Sequence, residues 1–257
     1  MDSLDLTPAT QNHNQVLLFT GRFGSGKTEV AINYALALAK LEMNGRRGRA
    51  TTGVILIDLD IVTPYFRSRE MSAGRAMEER GVRVVAPNAI GQYLDIPAIT
   101  PEILGALQQT ERPVVVDVGG DPQGARALGQ FSGAINKAAT EGRPYTMHFV
   151  VNPYRPFTDT LEGLAYSIAE IESTSRLKVS SLVSNPNLIG ETTAQAILDG
   201  HARIEGFAGQ LGLPIAFVCI ERQWVDQVRA VPRNPKHPTV FTRPVLVLDR
   251  YFVMPWE

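Results

Sequence analysis

The 257-residue sequence contains a single cysteine, no long apolar run and no excess of positive charge. Cys219 lies in the apolar stretch 214–220, so an intrachain disulfide and a CxxC metal or cluster site within one chain are excluded. No stretch approaches the ~18 consecutive apolar residues that a membrane-spanning helix needs. The N-terminal segment 1–15 is polar and lacks the apolar core of a signal peptide. We therefore expect a soluble, cytoplasmic protein.

Charge is nearly balanced, with 25 Lys and Arg against 26 Asp and Glu and a formal net charge of -1. This balance gives no electrostatic reason to expect nucleic acid or an anionic membrane as a partner. Hydrophobic residues make up 44% of the chain, which is enough for one large core. We predict a flexible N-terminus over residues 1–14 and a single domain over residues 15–257.

Short apolar runs alternate with longer segments of helical period from Gln15 onward. In the first such segment, Val30, Tyr34, Leu38 and Leu41 recur at the spacing of one helix face. This alternation predicts an α/β fold, with a mostly parallel sheet of seven or eight strands and helices on both faces. In such sheets ligands bind beyond the carboxyl ends of the strands. The predicted strands are 16–20, 53–58, 82–86, 113–118, 146–151, 179–183, 214–220 and 245–248.

Residues 21–28 fit the pattern G-x4-G-K-[ST] of a phosphate-binding loop, or P-loop. The segment follows an apolar strand and opens an amphipathic helix, which is the context that the motif requires. Glycines let backbone N–H groups point at phosphate oxygens, and the helix N-terminus adds positive potential. We predict that Lys27 is a catalytic cation at the β- and γ-phosphates and that the Thr28 hydroxyl binds Mg²⁺. The other predicted nucleotide-binding residues here are Gly21, Phe23, Gly24, Ser25, Gly26 and Glu29.

Three aspartates follow or end predicted strands. Asp117 ends an all-valine run and precedes two glycines, as expected of a carboxylate that holds Mg²⁺ through water. Asp58 and Asp60 stand at the end of the second strand, where two carboxylates beside a triphosphate would repel it unless they hold Mg²⁺ or orient a water. We predict that Asp58 and Asp117 serve the metal, and that Asp58 and Asp60 position the attacking water.

With these motifs the sequence resembles the MinD/ParA/nitrogenase-iron-protein class of P-loop ATPases. The resemblance rests on the P-loop, on Asp-x-Asp at 58–60 and on Asp-x-Gly-Gly at 117–120. It implies a P-loop NTPase fold, ATP as the nucleotide, Mg²⁺, and a homodimer that closes face to face over the nucleotides. It also implies that hydrolysis opens the dimer and changes its protein partner.

The P-loop departs from that family at two positions, because Arg22 replaces its signature lysine and Phe23 replaces a glycine. Arg22 is therefore either a catalytic arginine that acts across a dimer or an exposed loop cation. In the resembled family an asparagine after a late strand reads adenine. Asn185 stands at that place, and an Asn-Pro turn is the alternative interpretation. Arg155, after the fifth strand, meets either phosphate or a partner.

We thus predict a Mg²⁺-dependent ATPase that works as a dimeric switch on a partner protein. One alternative is a P-loop kinase or ATP-dependent ligase, with an acceptor pocket near Asp60, Arg67 and Asp121. Another is an ATPase that delivers a cofactor or metal cluster, which the single cysteine in a predicted strand interior argues against. The Pro-rich stretch 230–244 is predicted to be an ordered surface loop or a partner-binding segment.

Overall fold

The computed structural model describes residues 15–45, 53–59, 72–86, 101–231 and 243–251. Within these ranges strands and helices alternate as predicted. The strands are β1 Val16–Thr20, β2 Val54–Asp58, β3 Val82–Val85, β4 Val114–Asp117, β5 Tyr145–Val151, β6 Ser181–Ser184, β7 Ile215–Glu221 and β8 Val245–Leu248. The helices are α1 Lys27–Gly45, α2 Ser72–Glu79, α3 Pro101–Gln108, α4 Pro122–Thr140, α5 Leu161–Ser175, α6 Ala194–Leu211 and α7 Val225–Ala230. Asp60, Arg67 and residues 232–242 of the Pro-rich stretch lie outside the described residues.

The eight strands form one sheet in the order β3-β2-β4-β1-β5-β6-β7-β8, and all neighbouring pairs are parallel. Parallel strands need crossover connections, which explains why a helix lies between most consecutive strands. The strand order reverses at β1, which has β4 on one side and β5 on the other. The predicted fold class is confirmed: this is an α/β P-loop NTPase-like fold.

Helices cover both faces of the sheet, so most strand residues are buried on either side. On one face α1 and α2 pack against residues such as Leu17, Leu56 and Phe217. On the other face α3, α4, α5 and α6 pack against residues such as Leu18 and Val116. Strands buried on both faces read as continuous apolar runs rather than alternating ones, which is why the sequence predicted them well.

Helix ends are fixed by polar side chains. Asp121, placed near an acceptor pocket in the kinase interpretation, is the N-cap of α4 and accepts a bond from the Gly124 N–H at 2.8 Å. At the end of α3, the buried Arg143 guanidinium donates to the carbonyls of Leu107 and Arg112, at 2.9 and 3.1 Å. The bonds to the Gly124 N–H and to the Leu107 carbonyl satisfy backbone groups that a helix end leaves without partners.

Leu41, predicted on the buried stripe of α1, is 39% exposed, whereas Val30, Tyr34 and Leu38 of the same stripe are buried. No helix among the described residues is both long enough and apolar enough to cross a bilayer.

Candidate functional site

The predicted site residues meet at the carboxyl edge of the sheet, around the end of β1. In the strand register, Asp117 at the end of β4 is level with Phe19 of β1 and with Asp58 of β2. Asp58 and Asp117 are therefore neighbours on adjacent strands, and both are buried, at 3% and 1% exposure. The P-loop leaves β1 beside them, at the point where the strand order reverses and where such sheets bind their ligands.

The P-loop folds as a tight turn that ends in the first turn of α1. The Ser25 N–H donates to the Arg22 carbonyl at 3.0 Å, and the Val30 N–H donates to the Gly26 carbonyl at 3.0 Å. Gly26 has a φ of +82°, a conformation that side chains with a Cβ rarely adopt. Lys27 is buried at the start of α1, whereas Gly24 is exposed, so the turn is open to solvent on one side only.

The glycines after Asp117 pack directly on the P-loop. A Cβ at Gly120 would lie 2.6 Å from the Gly21 carbonyl oxygen and 2.9 Å from the Phe23 nitrogen. No side chain fits there without displacing the loop. The predicted proximity of the Asp117 segment to the phosphate site is thus present, and glycine is required because two backbones touch.

Asn185 lies beneath the P-loop. Its side chain is buried, and its Nδ2 donates to the Ser25 carbonyl at 2.7 Å. The same amide fills the space into which a Cβ on Gly26 would point. This contact uses one of the two amide N–H groups, so the amide oxygen and the second N–H are left for the adenine contact that remains a prediction.

A second asparagine, which the sequence analysis did not single out, joins the loops after β5 and β6. Asn152 is buried; its Nδ2 donates to the Asn187 carbonyl at 2.8 Å and its Oδ1 accepts from the Tyr154 N–H at 3.1 Å. Thr158 closes the same loop by donating to the Asn152 carbonyl at 2.7 Å. Only its place at the end of a strand marked Asn152, since its bond to the Asn187 carbonyl joins residues 35 positions apart.

Arg22 is not an exposed loop cation in this structure. Its Nε donates to the Ser167 hydroxyl at 2.8 Å, and its Nη2 pairs with Glu170 Oε2 at 2.7 Å, both on α5. The rings of Phe157 and Tyr166 lie 5.2 and 5.9 Å from the guanidinium carbon. The side chain is only 14% exposed, so of the two interpretations the loop-cation one is wrong for this conformation.

Exposed aromatic side chains lie beside this arginine: Phe157 and Tyr166 in space, and Phe23 as its neighbour in the chain. Phe23, the loop residue predicted to bind nucleotide, is 74% exposed, and Phe157 and Tyr166 are each 61% exposed. Monomeric proteins rarely leave large apolar side chains clustered on the surface unless a partner covers them. The aromatic cluster (Phe23, Phe157 and Tyr166) is therefore a candidate protein interface.

Glu29 follows the P-loop but has a structural contact of its own. Its Oε1 accepts from the Tyr251 N–H at 2.8 Å. One turn later, Asn33 exchanges two hydrogen bonds of 2.9 Å with the backbone of Asp249. These bonds attach the segment after β8 to the first turns of α1, and the predicted nucleotide role of Glu29 stays a prediction.

The oxygen-bearing side chains at this edge of the sheet could hold Mg²⁺ only together with phosphate oxygens. The described residues contain no group of three or more His, Cys, Asp or Glu side chains that could hold a metal by themselves. Mg²⁺ is typically bound through one or two carboxylates, a hydroxyl and phosphate oxygens, and the P-loop edge offers Thr28, Asp58 and Asp117. Cys219 is buried inside β7, and burial raises the pKa of its thiol, so it is unsuited to bridge a cluster between subunits.

Comparison with known proteins yields similarity to solved structures alone. No protein-family model and no curated protein sequence matches the chain. The chain is similar to chloroplast FtsY from Physcomitrella patens, at 17% identity and a TM-score of 0.49, over 79% of this chain and 58% of that one. It is also similar to the signal recognition particle receptor FtsY from Elizabethkingia anophelis, at 17% identity and a TM-score of 0.49, over 80% and 58%.

A third similar structure is the signal recognition particle 54 kDa protein from Aeropyrum pernix K1 in complex with GDP. The identity is 20% and the TM-score 0.49, over 81% of this chain and 42% of that one. This chain thus spans 58% of the length of the two FtsY proteins.

Proposed function

We propose that this protein is a Mg²⁺-dependent ATPase of the MinD/ParA-like class that acts as a nucleotide-controlled dimeric switch on a partner protein. One observation carries the proposal: a P-loop with a buried lysine lies beside two buried, register-matched aspartates at the switch point of a parallel sheet. Burying two carboxylates is costly unless cations compensate them. Lys27 and the Mg²⁺ ion bound with the nucleotide supply such cations.

Each residue has a defined part in this proposal. The P-loop N–H groups and the N-terminus of α1 bind the phosphates, and Lys27 neutralises charge that develops on the β- and γ-phosphates. Thr28, Asp58 and Asp117 would hold Mg²⁺, which supplies charge neutralisation between the phosphate groups. Asp58 and Asp60 would orient the attacking water. Catalysis of this kind comes mostly from positioning and electrostatic stabilisation.

Nucleotide titration tests the first half of the proposal. Isothermal calorimetry with ATP, ADP and GTP in the presence of Mg²⁺ should give binding, with ATP preferred over GTP. Lys27→Ala should lose most of the affinity for ATP, because a charged hydrogen-bonding partner of the phosphates is removed. A wild-type protein that binds GTP more tightly than ATP would refute the ATP assignment, and one that binds neither would refute the site.

The contacts of Arg22 make the dimer proposal testable. Reaching a second subunit requires Arg22 to leave Ser167 and Glu170, which hold it at 2.8 and 2.7 Å. The aromatic cluster around it offers apolar area of the kind that interfaces bury. Glu170→Gln removes the charge that retains the arginine, so we expect this variant to dimerise with ATP at least as strongly as wild type.

Sedimentation of wild type, Arg22→Ala and Glu170→Gln, each with ATP and with ADP, separates the outcomes. We expect an ATP-dependent dimer for wild type and Glu170→Gln, and a monomer for Arg22→Ala. If Arg22→Ala dimerises as well as wild type, the arginine has no role across the dimer. If all three proteins are monomeric with both nucleotides, the switch proposal loses its premise.

A further inference from the structure

We infer that Arg155 is a second phosphate-binding cation, which contacts the phosphate chain of the nucleotide from the β5 side of the P-loop. This inference rests on the proposed nucleotide binding and adds to it a residue that neither the P-loop motif nor the resemblance supplies. Arg155 follows β5 and lies against the middle of the P-loop. Its Nε, Cδ and Cγ are 3.4, 3.5 and 3.8 Å from the position that a Cβ on Gly24 would occupy.

The buried Nε of Arg155 points to a missing ligand. This atom is inaccessible to solvent and has no hydrogen-bond partner among the described residues. Leaving a buried N–H of a charged group without an acceptor is costly, so such atoms are usually paired. Phosphate oxygens bound in the P-loop would provide the acceptor after a rotation of the guanidinium, because the Nε is closed to solvent in the ligand-free protein.

Arg143 and Arg243 also have a buried Nε without a hydrogen-bond partner, but the terminal nitrogens of their guanidinium groups are engaged. Arg143 donates through both terminal nitrogens to backbone carbonyls, and Arg243 donates through Nη1 to the Ile215 carbonyl at 3.1 Å. Arg22, the arginine within the P-loop itself, is held by Glu170. In the described part of the chain, Arg155 is therefore the arginine beside the P-loop whose guanidinium is not engaged by a protein acceptor.

The backbone of Arg155 is fixed in place before any ligand binds. Its N–H donates to the Asn152 carbonyl at 3.1 Å, and its carbonyl accepts from the Thr158 N–H at 3.2 Å. The preceding residue, Tyr154, is anchored because its hydroxyl donates to the Ala196 carbonyl at 2.6 Å. A side chain presented from a loop that is already ordered binds without a large entropic cost.

The charges around the site favour a further cation there. The carboxyl groups of Asp58 and Asp117 are buried next to the site, and a triphosphate adds negative charge there. Lys27 and Mg²⁺ compensate part of this charge, and the planar fork of an arginine suits two phosphate oxygens at once. Arg155 then complements Lys27 from the middle of the loop, beside Gly24.

Calorimetric titration with ATP, ADP, pyrophosphate and adenosine tests this assignment on four proteins. These are wild type, Arg155→Ala, Arg155→Lys and the control Arg112→Ala, which removes an arginine at the amino-terminal edge of the sheet, before β4. We expect Arg155→Ala to lose about 10-fold to 100-fold in affinity for ATP and pyrophosphate, with little change for adenosine. Arg155→Lys should lie between, since it keeps the charge and loses the fork.

The outcomes distinguish this inference from the proposed function. If Arg155→Ala binds ATP within about twofold of Arg112→Ala while Lys27→Ala has lost binding, the Arg155 assignment is wrong and the nucleotide site stands. If wild type binds neither ATP nor pyrophosphate, both proposals fall together. If adenosine affinity drops as much as ATP affinity, Arg155 acts on the base or on loop shape rather than on phosphate. If Arg155→Ala shows no cooperative unfolding transition, the Arg155→Lys variant provides the test instead. An ATP affinity of Arg155→Lys equal to that of wild type would contradict the requirement for the planar arginine fork.

Discussion

Replacing Asn185 with alanine tests how the P-loop is held in its phosphate-binding shape. The substitution removes a buried amide that donates to the Ser25 carbonyl at 2.7 Å. Losing one partner of a buried hydrogen bond costs about 1–3 kcal/mol, and the truncated side chain leaves a small cavity. In a chain of this size, a loss of about 2 kcal/mol lowers the midpoint of thermal unfolding by roughly 4–8 °C.

The same contact predicts a pattern in ligand affinity. If the amide holds the loop, Asn185→Ala should weaken ATP, GTP and pyrophosphate by a similar factor of about 10, because the binding-competent loop is less populated. If the amide reads adenine, the variant should instead change the ratio of ATP to GTP affinity and leave pyrophosphate affinity as it was. Calorimetry with the three ligands, together with thermal unfolding of the ligand-free protein, measures both effects.

Asn187→Ala is the matched control for this experiment. It removes an amide from the same loop, but that amide donates to Glu221 Oε1 at 2.7 Å rather than to the P-loop. We expect the control to keep pyrophosphate affinity. An Asn185→Ala protein that unfolds at the wild-type temperature and binds pyrophosphate as wild type does would refute the reasoning from this hydrogen bond.

Three further predictions concern stability and loop contact. Burial lowers the pKa of His148 from 6.5 to about 4, so as the pH falls through that interval only the unfolded state gains the proton and stability drops by about 3 kcal/mol. Denaturant titrations across this range should show a smaller drop for His148→Gln. Arg143→Leu leaves the Leu107 carbonyl at the end of α3 without its side-chain donor and should cost about 1–3 kcal/mol in urea unfolding; a cost below about 0.5 kcal/mol would contradict the capping role. Gly120→Ala should weaken ATP binding, since its methyl would lie 2.6 Å from a P-loop carbonyl, whereas Gly133→Ala on α4, with nothing within 4 Å, should not.

The sequence predicted those parts of the fold whose signal is local. Strands buried on both faces are continuous apolar runs, so predicted and observed strands agree to within two residues at each end. The P-loop was recognisable because its glycines, lysine and hydroxyl are adjacent in the chain. Helix α3 went unpredicted, since a helix of 8 residues shows too few turns for its period to stand out.

What the sequence could not predict depends on packing between distant segments. Asn185 lies 160 positions from the Ser25 carbonyl that it bonds, and Arg22 lies 145 positions from Ser167. Neither contact can be recognised from the composition or the hydrophobic periodicity of the sequence. The prediction of Arg22 as either a trans-acting residue or a loop cation omitted a third state, an arginine held within its own subunit. It was omitted because the sequence does not indicate that Glu170 on α5 lies beside the P-loop.

The two arginines that touch the P-loop differ in a way that lets their roles be separated. Arg22 has acceptors for its guanidinium on α5, so its removal costs folding energy in the ligand-free protein and affects any dimer that requires its release. Arg155 has no acceptor for its buried Nε within the described residues, so its removal costs little until phosphate is present. Stability measured without ligand should therefore fall for Arg22→Ala and stay nearly constant for Arg155→Ala, while pyrophosphate affinity should show the reverse order. If both variants lose stability equally and keep pyrophosphate affinity, the positive charge around Gly24 serves to hold the fold and not to bind the nucleotide.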